Sequence, residues 1–242
     1  MASFKPAVIT PYHTEPFEII ERCHQSCLSQ TIPCSHFLVS DGHVIQAIND
    51  LQAQHITLAH SHNDYGNTPR AIGALSAINQ GFNPILFLDA DNWFSSEHVE
   101  NALATKAKNP YADVVASYRH LVLSDETIVE PDAEDTMRQH IDTSCLAMFE
   151  SSFFLLPLWA TMTKPLSVIG DRIMYSAFKN HGLAVEWTGA RSLFYSTNYA
   201  HHWARAGKQP PSETYSLNTS ILNDFSSEQL FHWSRLDLDI RK

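Results

Sequence analysis

The sequence is most informative at first in what it lacks. Only 8 of its 242 residues are glycine, and none precedes Gly42. No Gly-x-Gly-x-x-Gly follows the first strand-like stretch, which argues against a dinucleotide-binding dehydrogenase. The same gap removes the early glycine-rich loop that would cradle a triphosphate. Four cysteines (Cys23, Cys27, Cys34, Cys145) form no Cys-x-x-Cys pair, so free, mostly buried thiols are expected. There are fourteen histidines but no His-Glu-x-x-His, so a zinc enzyme has no motif to rest on. Positive charge is scarce too: 16 Lys and Arg against 26 Asp and Glu, a formal net charge of −10. A broad nucleic-acid or anionic-membrane surface is therefore disfavoured, although one local site could still hold a nucleotide. No apolar run approaches eighteen residues, and the first residues lack the apolar core of a signal peptide. The expected location is cytoplasmic, either soluble or peripheral to the inner face of a membrane.

What is present centres on Pro84-Ile85-Leu86-Phe87-Leu88-Asp89-Ala90-Asp91. An apolar run without polar alternation fits a central strand covered on both faces. It ends in two carboxylates one residue apart. In open α/β sheets ligands bind at the carboxyl ends of strands, and hard anionic oxygens there suit Mg²⁺ or Mn²⁺. Alone, Asp-x-Asp is weak evidence, because Asp also forms turns and caps.

Around this stretch the chain alternates. Strands are predicted at Ala7–Thr10, His36–Val39, His55–Ala59 and Pro84–Leu88. Helices are predicted from Pro16 to about Gln30, through Val44–Leu51, and from a Thr68 cap and Pro69 to Gly81. This β-α-β-α-β-α-β order implies a mainly parallel central sheet flanked by helices. Further on, a helix at 96–108, a strand at Ala112–Tyr118, an acidic loop at Ser124–Asp135 and a strand-like Ser144–Phe149 are predicted. A bulky buried helix at Ser152–Met162, a helix from Val168 to His181, strands at Leu183–Trp187 and Ser192–Tyr195, and an apolar tail from Asp224 to Ile240 follow. One domain of two halves is expected, over about 1–118 and about 119–205, with an extension over 206–242.

Several ordered blocks resemble the family 2 glycosyltransferases and their GT-A fold, over roughly Ala7 to His202. These blocks are Val8-Ile9-Thr10-Pro11-Tyr12, Cys27-Leu28-Ser29-Gln30-Thr31, Val39-Ser40-Asp41-Gly42, Gly66 to Gly81 with Arg70, Leu88-Asp89-Ala90-Asp91, and Gly170-Asp171-Arg172. The resemblance implies an inverting transfer of a sugar from a nucleotide-sugar, UDP-sugar by default, to a hydroxyl of a carbohydrate or small-molecule acceptor. It implies nucleotide contacts from Thr10, Pro11, Tyr12, Asp41, Asp64, Arg70, Asp89 and Ala90. Asp91 becomes the Mn²⁺ or Mg²⁺ ligand, completed by His202 with His201 in reserve, and Asp171 becomes the catalytic base. Arg70 has an alternative, structural role in neutralising Asp64 or Asp91. Asp171 could likewise be only a first-turn helix acid. Trp159, Trp187 and Trp203 could stack on sugar rings or simply fill the core. Ser40 and Gly170 depart from the family pattern, where Asp and Glu are usual.

Two other readings share the scaffold. A sugar-phosphate nucleotidyltransferase would release pyrophosphate, but the sequence lacks its glycine loop. A non-catalytic nucleotide-sugar-binding protein would have lost its base or metal ligands, whereas Asp89, Asp91 and Asp171 are all present. No nucleic-acid partner or transmembrane segment is expected, and the sequence does not fix an oligomeric state.

Overall fold

The computed structural model describes residues 4–129 and 141–215. A nine-stranded sheet runs through it, flanked by helices. The first half is the expected alternation: β1 (Ala7–Tyr12), α1 (Phe17–Leu28), β2 (Ser35–Asp41), β3 (Gln54–Leu58), α2 (Asn67–Asn79) and β4 (Ile85–Phe87). These four strands are parallel, in the order β3-β2-β1-β4. Their carboxyl ends therefore share one edge. The central strand β1 is buried along its whole length, as an apolar run without alternation requires.

β1 does not stop at Pro11 but continues to Tyr12. β4 pairs with it only as far as Ile9, where Leu88 N–H donates to Ile9 O at 3.1 Å. The N–H that Pro11 lacks faces this side, where the ladder has already ended, so the proline removes nothing. α2 lies directly on the sheet. A Cβ on Gly73 would sit 2.6 Å from Ile9 Cγ2 and 2.8 Å from Val39 Cγ2, so only glycine permits this approach.

The second half is mixed. β5 (Trp93–Phe94), α3 (His98–Lys108), β6 (Val114–Val122), β7 (Ile128–Val129) and β8 (Leu146–Met148) come first. Then follow α4 (Leu158–Thr161), α5 (Lys164–Ser167), α6 (Gly170–Asn180), β9 (Val185–Ser196) and α7 (Ala200–Arg205). β8 is antiparallel to both β4 and β6, while β6 and β9 run parallel. This continues the sheet as β4-β8-β6-β9-β5. Among the described residues no helix is long and apolar enough to cross a membrane.

Four expectations are corrected. The Val44–Leu51 helix is a five-residue 3-10 helix, Gln46–Asp50, in which only Ile48 is buried. Asn49 spends its side-chain amide on Gln46 Oε1 and His55 Nδ1, and the chain turns extended at Leu51. The Ser152–Met162 helix is a 3-10 helix at Glu150–Leu155 followed by the short α4, divided at Pro157, which has no N–H to donate. The two strands at 183–187 and 192–195 are one strand, β9. It carries a bulge between Trp187 and Arg191, around Gly189 at φ +74°. Within the acidic loop Ile128 and Val129 form β7 against β6. Residues 130–135 of that loop, and the 224–240 tail, lie outside the described residues.

Candidate active site at the carboxyl edge of the sheet

The chain leaves β4 at the carboxyl edge and turns through Leu88 and Asp89 to Asp91. Asp89 Oδ1 accepts from Arg70 Nη2 at 2.7 Å, an ion pair with a buried guanidinium and a half-exposed carboxylate. Arg70 stands in the first turn of α2. Its Nη1 donates to Asn67 Oδ1 at 2.9 Å, and its guanidinium lies 4.9 Å from the centre of the Trp159 ring. The acidic partner of Arg70 is thus Asp89, not Asp64 or Asp91.

Asp64 instead serves the helix start. Its Oδ2 accepts from Thr68 N at 2.9 Å and Thr68 Oγ1 at 2.6 Å, while its Oδ1 is buried without a partner. Thr68 is therefore not the cap. α2 begins at Asn67, after Gly66 in the left-handed region at φ +76°. A Cβ on Gly66 would lie 2.9 Å from Pro11 Cγ, so this glycine allows the helix start to rest on the end of β1.

Asp91 is open to solvent yet surrounded by protein, as a group on the floor of an open cleft would be. Loss of solvent, then the charges of Asp89, Glu15 and Asp142, push its carboxyl up to about 7. Such a crowd of carboxylates is a place where a divalent cation would relieve repulsion, and hard oxygen donors suit Mn²⁺ or Mg²⁺. Asp91 fits that role on charge and exposure. Among the described residues no three His, Cys, Asp or Glu side chains converge as a ready-made cage. An ion held jointly with a diphosphate needs only one or two carboxylates. His202 lies on α7, where its Nδ1 and Thr197 Oγ1 are 2.7 Å apart, and its ring is 4.0 Å from that of the exposed His201. Neither histidine is grouped with Asp91 into a three-ligand site.

Asp171 opens α6, with its Oδ1 accepting from Arg172 N at 2.7 Å. Burial raises its carboxyl above the ordinary value, against the pull of Arg172, Arg119 and Arg70. Gly170 just before it is packed tight: a Cβ there would lie 3.0 Å from both Asn67 Nδ2 and Trp159 Cζ3. This close packing, in which a side chain at 170 would make its neighbours give way, brings the start of α6 against that of α2.

Asp142 has no counterpart in the sequence reading. It is buried, and its Oδ2 accepts from Arg119 Nη1 at 2.5 Å. Its Oδ1 accepts from Ser144 N at 3.0 Å, and Ser144 Oγ in turn accepts from Asp89 N at 3.1 Å and Asn92 Nδ2 at 3.3 Å. One buried carboxylate therefore braces the Asp89–Asn92 turn through a single serine. Burial raises the Asp142 carboxyl despite Arg119, and the negative charges of Asp89 and Asp171 add to the effect. The sequence signal that could have found it is Asp-x-Ser ahead of a buried strand, an Asx turn.

The remaining candidates lie deeper or farther along the edge. Thr10 does not offer its hydroxyl there: it is fully buried, with Oγ1 2.8 Å from His36 Nε2 and 3.7 Å from Cys23 Sγ. Tyr12 is also buried, its hydroxyl 2.7 Å from His55 Nε2. Pro11 packs under Gly66, and Ala90 packs in a small core with Tyr12, Ile20, Leu38 and Ile48. Asp41 ends β2, two strands from β4, or about 10 Å at ordinary strand spacing. Its carboxylate accepts from His62 N, His62 Nδ1, Ser61 Oγ and Asn63 N at 2.8–3.3 Å. Trp159 and Trp203 are core residues, and Trp187 stacks on Tyr118 with centroids 4.9 Å apart.

Comparison with known proteins agrees with this architecture. Crystal structures of S. aureus TarS superpose on the chain with a TM-score of 0.60 at 14% identity, covering 84% of this chain and 38% of that one. TarS 1-349 in complex with UDP gives 0.60 at 13% identity, covering 84% and 63%. Its complex with UDP-GlcNAc gives 0.60 at 13%, covering 83% and 61%. The chain therefore spans less than two thirds of each, and at these identities the likeness is one of fold, which is GT-A-like. None of the curated proteins matches. The sequence model of Glycosyl transferase family 2 matches residues 7–140, from the first residue of β1 past the Asp89–Asp91 turn, and the chain belongs to that family.

Proposed function

We propose that the protein transfers a sugar from a nucleotide-sugar to an acceptor hydroxyl with inversion at the anomeric carbon. The observation that carries this reading is the pair of neighbouring groups at the end of β4: Asp89 neutralised by Arg70, and Asp91 left among carboxylates. A bound Mn²⁺ or Mg²⁺ would act as a Lewis acid on the departing diphosphate. Asp91 would hold that ion directly. Asp89, fixed by Arg70, would face the ribose or share the ion through water. UDP-sugar is the favoured donor, supported by the UDP and UDP-GlcNAc complexes of the structural neighbour.

The base in this reading is Asp171. Its burial makes the carboxylate a better proton acceptor than a free aspartate, while Arg172, Arg119 and Arg70 pull the other way. As the acceptor hydroxyl attacks, its proton passes to Asp171 and the sugar–diphosphate bond breaks on the opposite side. A single in-line displacement of this kind inverts the anomeric centre. His202 would complete the metal site by closing over the diphosphate from α7.

The test is the stereochemistry of the product. Incubation with UDP-sugars, Mn²⁺ and a panel of carbohydrate acceptors, followed by NMR of the anomeric proton, should show the configuration opposite to the donor's. Retention, or pyrophosphate released from a nucleoside triphosphate and a sugar phosphate, would overturn the reading.

A further inference from the structure

The end of β2 holds a second polar arrangement that the transfer step does not use. His62 Nδ1 lies 2.8 Å from Asp41 Oδ1, and the His62 backbone N–H donates to the same oxygen at 2.9 Å. Burial alone would raise the Asp41 carboxyl, but the bonds from His62, Asn63 and Ser61 outweigh it and hold it below the ordinary value. An ionised carboxylate only accepts, so Nδ1 must carry the proton. In the neutral ring Nε2 then presents a lone pair. No described residue hydrogen-bonds Nε2, and the side chain is 39% exposed. The loop carrying His62 is pinned: Gly42 has φ +82°, and a Cβ on it would lie 2.4 Å from Ser61 N. In its neutral form the imidazole is thus an acceptor of fixed tautomer on a rigid loop, at the same edge as Asp89 and about two strand spacings away.

We propose that His62 is a specificity-determining residue for the donor nucleotide, accepting at Nε2 the imide N–H of a uracil-type base. The proposal rests on the nucleotide-sugar reading and sharpens it, because Asp41 spends its carboxylate on the loop and hands the base-reading function to the ring it orients. Cytosine presents a lone pair at the corresponding ring nitrogen, and two lone pairs repel. Uracil presents an N–H, and the hydrogen bond forms. The arrangement therefore favours uridine over cytidine diphosphates by a contact specific to the imide.

Calorimetric titration with UDP, N3-methyl-UDP and CDP in the presence of Mn²⁺ tests this on the native chain and on His62→Ala. The exposed side chain and the backbone bond that remains to Asp41 make His62→Ala a variant that keeps the fold, which an unchanged melting temperature checks. The native protein should bind UDP about three- to tenfold more tightly than N3-methyl-UDP, the worth of one hydrogen bond. In His62→Ala that ratio should fall to about one by loss of UDP affinity. Equal binding of UDP and N3-methyl-UDP by the native chain, or a ratio unchanged in His62→Ala, overturns the proposal and leaves nucleotide binding intact. Failure of the native chain to bind any of the three overturns both this proposal and the reading it rests on.

Discussion

Arg70 Nη2 and Asp89 Oδ1 lie 2.7 Å apart, joining the first turn of α2 to the turn after β4. The guanidinium is almost wholly buried, held also by Asn67 and the face of Trp159. Arg70→Ala should therefore cost stability as well as function, by about 1–3 kcal/mol for the hydrogen-bonding groups left unpaired. Chemical denaturation measures it. Arg70→Lys should recover only part, because one ammonium cannot bond Asn67 and Asp89 in the same fork and stack on Trp159.

Asp91 has an opposite signature. Its carboxyl is raised from an unfolded value near 3.9 to about 7. Between those values the folded state binds more protons than the unfolded, so this group's contribution to stability falls as pH rises from about 4 to about 7. Asp91→Asn should consequently melt at a higher temperature than the native chain at pH 8 and show little difference at pH 4. Thermal melts across that range, without added metal, check it. A divalent ion would displace the proton, so Mn²⁺ affinity should strengthen up to about pH 7 and then level off.

The buried Asp142 bridges Arg119 and the Ser144 that supports Asp89. Asp142→Ala takes this carboxylate from the partly buried Arg119 and the acceptor from the Ser144 backbone N–H, and should destabilise the fold by about 1–3 kcal/mol. Ser144→Ala removes only the brace on the Asp89–Asn92 turn. It should cost about 1 kcal/mol and weaken UDP–Mn²⁺ binding more than it weakens the fold. Denaturation and calorimetry on the two variants separate these effects.

Gly73→Ala tests the seating of α2 on the sheet. The added methyl would enter the van der Waals space of Ile9 and Val39, and overpacking of this kind costs about 1–3 kcal/mol. A variant as stable as the native chain would show that α2 can lift off β1 and β2 without penalty.

The parallel half of the sheet was legible because each strand there is a local apolar run bounded by helix signals, and the position of Asp89 and Asp91 follows from where such a run ends. What the sequence hid are partners set by long-range pairing. Asp142 reaches Asp89 only because β8 inserts antiparallel between β4 and β6, which no local pattern announces. Thr10 shows the converse: a residue at the right place in the motif points its hydroxyl into the core, because side chains alternate between the two faces of a strand. Thr188-Gly189-Ala190 interrupts the apolar pattern, and the structure accommodates it as a bulge within β9.

The most direct test of the central claim is a thermal-shift comparison of the native chain and Asp91→Ala, with UDP, GDP, CDP and dTDP, each with and without Mn²⁺. Ligand at about a hundred times its dissociation constant adds about 2.7 kcal/mol, a rise of about 5–10 °C for a chain of this size. A rise of that order with UDP, requiring both Mn²⁺ and Asp91, is the predicted result. No rise with any nucleotide, or an equal rise in Asp91→Ala, would contradict it.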